Sequence, residues 1–105
     1  MGKNDLIKLL SQFKQALENE NIHVEKMILY GSWAKKSQRK DSDIDVVVIS
    51  KDFEKKKYWE RIDLLSNAIY DVFAPIEAVA LTPKEWNKKE SFVCEYARNG
   101  EVVFS

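Results

Sequence analysis

Residues Tyr30–Ser50 read YGSWAKKSQRKDSDIDVVVIS, and the reading of this stretch decides the fold. Asp43 and Asp45 stand two apart and lead without a break into Val46, Val47, Val48 and Ile49. Such a β-branched run predicts a strand over Ile44–Ile49. Side chains alternate along a strand, so both aspartates take one face and Ile44 the other. Two neighbouring carboxylates repel each other, and a cation between them relieves the repulsion. Magnesium favours such oxygen donors and completes its shell with substrate phosphates. A plainer reading also fits, with Asp41, Ser42 and Asp43 as turn residues and Asp45 as a solvated strand position.

Working outward, the apolar run from Val24 to Tyr30 predicts a first strand that ends at Gly31. Glycine lets the backbone approach a ligand closely. A short helix over Trp33–Lys36 would offer free amides to phosphate oxygens, and Ser32 could cap it and touch phosphate as well. An ordinary strand-to-helix turn with a serine cap is the alternative. Lys35, Lys36, Arg39 and Lys40 fill the space between turn and acids. Solvation explains such a run, and its position also lets Lys35 and Arg39 help hold a triphosphate.

The combination, Gly-Ser followed after ten residues by Asp-Ile-Asp at the head of an apolar strand, resembles the signature of the DNA polymerase beta nucleotidyltransferase superfamily. The resemblance is closest to its minimal branch, the small MNT-type proteins, and covers most of the chain. It implies a nucleotidyltransferase fold of class α/β (α+β), a small mixed β-sheet with helices packed on it, built from residues 1–105 as one domain. It also implies magnesium (two ions) and ATP as substrate, with Gly31 and Ser32 on the triphosphate and Asp43 and Asp45 on the metals. The family's third carboxylate comes from a later strand, and the matching residue is Glu77 in Ile76–Leu81, where many relatives carry aspartate. Where relatives often have Ala-Arg-Gly, this chain has Ala34-Lys35-Lys36.

What the resemblance implies for activity is transfer of AMP to a protein hydroxyl. The expected acceptor is a tyrosine of a HEPN-type RNase toxin, which would make this chain an antitoxin. Two other functions stay open. One is a binding module that neutralises its partner by contact. The other is a transferase acting on a small molecule, although relatives of that kind carry a further domain.

The rest of the chain is consistent with this frame. In 105 residues, 17 basic and 17 acidic side chains cancel, which argues against a dedicated nucleic-acid binder needing a strong basic field. A single cysteine, Cys94, excludes an internal disulfide, and one histidine, His23, leaves no material for a zinc cluster. No signal peptide or membrane-spanning run is evident, so a cytoplasmic location is expected. Leu6, Leu10, Phe13 and Leu17 predict an amphipathic helix over 4–20. A second is predicted from about Phe53 to Tyr70, with Tyr58, Ile62, Leu65 and Ile69 on its core face. Thr82, Pro83 and Glu85 form a helix start with a capping box. A final helix over Ser91–Arg98 would bury Phe92, Val93, Tyr96 and Ala97 and end at Asn99-Gly100. Val102–Phe104 reads as an edge strand or as a dock for another chain. A chain of this size gains from a partner surface, so a homodimer or hetero-oligomer is expected.

Overall fold

The computed structural model describes residues 2–31, 33, 43–88 and 92–105. Helix α1 spans Lys3–Asn19, and its stripe of Leu6, Leu10, Phe13 and Leu17 is wholly buried. Asp5 accepts a hydrogen bond from the Gly2 amide at the helix start. The helix stops where Asn21 turns into the left-handed region, at φ 67°.

Four strands among the described residues form one mixed sheet in the order β3-β2-β1-β4. Strand β1 (Lys26–Tyr30) runs antiparallel to β2 (Ile44–Ile49). Strand β3 (Ile76–Leu81) lies parallel to β2, and β4 (Glu101–Phe104) pairs antiparallel with the far side of β1. The parallel pair needs a crossover, which helix α2 (Tyr58–Val72) provides. Helices α3 (Pro83–Lys88) and α4 (Phe92–Ala97) follow β3.

The period of two along β2 sorts the layers. Ile44, Val46 and Val48 pack with α1 and α2, while Val47 and Ile49 pack with Cys94 and Ala97 of α4. Every residue of the apolar run is therefore buried, on one face or the other. Each such side chain stabilises the fold by roughly 1.5–3 kcal/mol, an upper figure because the denatured chain already hides some surface. That anchorage lets the start of the strand carry acids.

Four expectations need correction. The second helix begins at Tyr58, not near Phe53. Residues Lys51–Phe53 form a 3-10 turn capped by the Ser50 hydroxyl, and this turn drives Phe53 fully into the core. The lysine run thus precedes the helix, with Lys57 at its cap. The core face of α2 is also rotated. Leu65 and Ala68 are buried with Leu64, Ile69 and Val72 beside them, whereas Tyr58 is 78% and Ile62 42% exposed. A small residue, Ala68, brings the helix close to α1 and the sheet, and periodicity counted from large side chains overlooks it. The same happens in α4: Cys94 and Ala97 are the buried pair, and Phe92 and Tyr96 stand out in solvent. Strand β1 begins two residues later than expected, at Lys26. No helix among the described residues is long and apolar enough to cross a membrane.

Candidate active site

Strands β1, β2 and β3 bring three side chains to one end of the sheet. Tyr30 lies opposite Asp45 across the antiparallel pair, and Asp45 lies beside Glu77 across the parallel pair. Pleating puts Asp45 on the face of Val47 and Glu77 on the face of Val79, the face that α4 covers farther along. Asp43 stands exposed just before β2 begins. The Ile44 amide donates to the Pro75 carbonyl at 2.8 Å, which ties the head of β2 to the head of β3.

These carboxylates are electrostatically strained. The charges of Asp43 and Asp45 raise the Glu77 carboxyl above its ordinary value, with a further contribution from desolvation, and Glu77 is hydrogen-bonded to both aspartates. Burial raises Asp45; the hydrogen bond with Glu77 pulls the other way, and the charge of Asp43 adds to the rise. The Tyr30 hydroxyl is raised too, by burial and then by Asp45 and Glu77, so its side chain lies within the field of both acids. Tyr30 went unnoticed in the sequence as a site residue. The signal was its place as the last strand residue before Gly31, on the same face as Ile28. Asp71, six residues before Glu77, sits elsewhere: its charge acts on Glu20 of the α1 side.

Gly31 fits against this cluster. Its φ is 73°, a left-handed conformation that strains any side chain. A Cβ there would also overlap the Asp45 carboxylate. The turn therefore needs glycine for two separate reasons, backbone angle and space. Trp33 packs against the α1/α2 core and fixes the chain two residues on. Ser32, Lys35 and Arg39 lie outside the described residues.

Among the described residues no group of three or more acid, cysteine or histidine side chains is placed to hold a metal ion. Asp43 and Asp45 do act on Glu77 by charge and hydrogen bond, and carboxylate oxygens are the donor type that magnesium takes.

Comparison with known proteins agrees with the fold. Residues 11–105 match the family model described as Polymerase beta, Nucleotidyltransferase. A crystal structure of a proposed nucleotidyltransferase from Sulfolobus solfataricus is 18% identical, with 97% of this chain and 87% of that chain covered, at a TM-score of 0.58. At that identity the likeness speaks for the fold. Among curated proteins none matches. The chain belongs to the polymerase beta nucleotidyltransferase family.

Proposed function

We propose that this chain is a magnesium-dependent nucleotidyltransferase that moves AMP from ATP to a protein hydroxyl. The acceptor we infer is a tyrosine on a HEPN-type toxin, which the chain would neutralise as an antitoxin. The observation that carries the reading is the contact between Gly31 and Asp45. A turn without a side chain lies directly against a strained carboxylate set, so phosphate and metal subsites share one wall.

In this reading the Gly31 backbone and the Ser32 hydroxyl hold the triphosphate, with Lys35 and Arg39 balancing its charge. Asp43, Asp45 and Glu77 would hold magnesium, which would supply charge neutralisation at the phosphates and activation of the acceptor hydroxyl. The acceptor oxygen bonds to the α-phosphorus, the bond to the β-phosphate oxygen breaks, and pyrophosphate leaves. Glu77 would complete the set of acids that activates the acceptor hydroxyl, whose proton would pass to solvent. Catalysis of this kind rests on positioning and charge stabilisation. Glutamate where relatives often have aspartate carries the charge farther from the strand. That departure favours the second reading, a partner that neutralises by contact with little transfer.

The test is intact-mass spectrometry of the protein encoded beside this chain, after incubation with ATP and magnesium. The expected result is an added AMP mass that disappears with Asp43→Asn/Asp45→Asn. Neutralisation without a mass change, equally strong in the double variant, would establish the contact reading instead. Calorimetry should also show ATP binding that depends on magnesium; equal affinity without it would overturn the metal assignment.

A further inference from the structure

Strand β3 is an edge of the sheet, and its outward backbone groups are arranged to pair with themselves. Two hydrogen bonds fix their phase: the Ile44 amide to the Pro75 carbonyl, and the Ser50 amide to the Leu81 carbonyl at 3.0 Å. Glu77 and Val79 therefore bond inward to β2, while Ile76, Ala78 and Ala80 direct their amides and carbonyls outward. Two of these six groups are engaged. The Ile76 amide donates to the Ala74 carbonyl at 2.8 Å, and Arg61 Nη1 donates to the Ala80 carbonyl at 3.3 Å. Among the described residues the Ile76 carbonyl, both Ala78 groups and the Ala80 amide stay open.

We propose that a second copy of this chain docks here, β3 against β3, about a two-fold axis at Ala78. In that antiparallel register Ala78 meets Ala78 and Ile76 meets Ala80. The two Ala78 residues exchange both their bonds. Each open Ile76 carbonyl meets an open Ala80 amide. The two engaged groups, the Ile76 amide and the Ala80 carbonyl, fall opposite each other, so neither has to give up its partner. A strand of unrelated sequence has no reason to match that pattern of open and closed groups.

Helix α2 flanks the same edge and carries the apolar surface that such pairing would bury. Tyr58 and Ile62 line a groove with Ala78 and Ala80, and Tyr70 and Phe73 line another beside Pro75. Tyr58, Tyr70 and Phe73 are at least 78% exposed. The two-fold axis lays the helices antiparallel, so the first groove of one copy faces the second groove of the other. On the opposite face Glu77 falls across from Val79 rather than from the other glutamate. With no lysine, proline or bulge, this edge strand has only Glu77 against pairing.

Sedimentation of the full chain should give twice the mass of one chain. Ala78→Pro removes an amide that β2 does not use and should leave a folded monomer by circular dichroism. Ile62→Glu, at an exposed helix position, should weaken the dimer at least about tenfold. A wild-type chain that stays monomeric at high micromolar concentration would overturn the proposal. So would a dimer indifferent to Ile62→Glu, whatever Ala78→Pro does to folding.

Discussion

Two glutamates flank the ends of β3, and the fold treats them in opposite ways. Glu85, in the first turn of α3, accepts the Thr82 amide at 2.8 Å and Arg61 Nη1 at 2.7 Å. Its own amide donates to the Thr82 hydroxyl at 3.1 Å, which closes the capping box. Burial pushes its carboxyl upward, but the Thr82 amide and then the hydrogen bond and charge of Arg61 outweigh this and hold it below its ordinary value. Glu77, at the other end, has two aspartates for neighbours, and its carboxyl is held above the ordinary value. One acid is satisfied by the chain itself. The other, exposed at the end of the sheet, faces two like charges. Placing strain at one end and relief at the other separates structure from chemistry along a single strand of six residues.

The sharpest way to break that contrast is to remove each acid and compare stability with transfer. Asp45→Asn or Glu77→Gln should lower transfer by about 10²-fold or more, since charge stabilisation at the reacting centre is lost. The same changes should leave the melting temperature equal or higher, because repulsion is relieved. Glu85→Ala should do the reverse. It opens the capping box and takes from the half-buried Arg61 its carboxylate partner, at a cost of about 1–3 kcal/mol. Transfer at a temperature where the variant is folded should stay near wild type. Thermal melts and turnover on the four proteins would check this, and melting temperatures moving in one direction for all of them would break the contrast.

How visible was this in the sequence? Strands β2 and β3 could be bounded to the residue, because Val46–Ile49 is an unbroken apolar run, Ile76–Leu81 is apolar but for Glu77, and turn residues flank both. The capping box at Thr82 was legible for the same reason: its bonds are local. The core face of α2 was legible only in Leu65 and Ile69. Ala68 joins it because α1 crosses there, and that contact lies far apart in sequence. The two acids of the strand head could be placed on one face from their spacing alone. Tyr30 joining them depends on the antiparallel register of β1, which spacing does not specify. The Arg61–Glu85 pair was equally hidden, because it joins two helices 24 residues apart.

A smaller effect should come from Gly31, where backbone and site meet. Gly31→Ala carries roughly 1–2 kcal/mol of left-handed backbone strain. Its Cβ must also displace the Asp45 carboxylate. Urea unfolding should register the first term, and loss of magnesium-dependent ATP binding the second. Replacing Asp45 by alanine in the Gly31→Ala background should recover part of the stability, since the overlap is then gone. Full additivity of the two changes would show that the overlap contributes nothing.

The smallest effect is a difference in pH dependence between the two ends of β3. A carboxyl whose pKa is raised by folding binds its proton more tightly in the native state than in the unfolded one. Stability then falls as pH rises from the ordinary value through the raised one. Glu77 and Asp45 are of this kind, so their combined contribution should decline as pH climbs above 3.8 for the aspartate and 4.5 for the glutamate. Glu85 is the opposite case: its contribution is present above 4.5 and lost as pH falls through its lowered pKa. Urea midpoints measured across the acid range should therefore show a shallower decline above pH 4.5 in Glu77→Gln than in wild type. Glu85→Gln should remove stability mainly on the neutral side and converge with wild type in acid. Saturating magnesium makes the sharper test. A bound cation favours the deprotonated carboxylates, so it should reverse the slope contributed by Glu77 and Asp45 and leave that of Glu85 unchanged. A slope insensitive to magnesium would mean that the strained acids are not the cation's ligands.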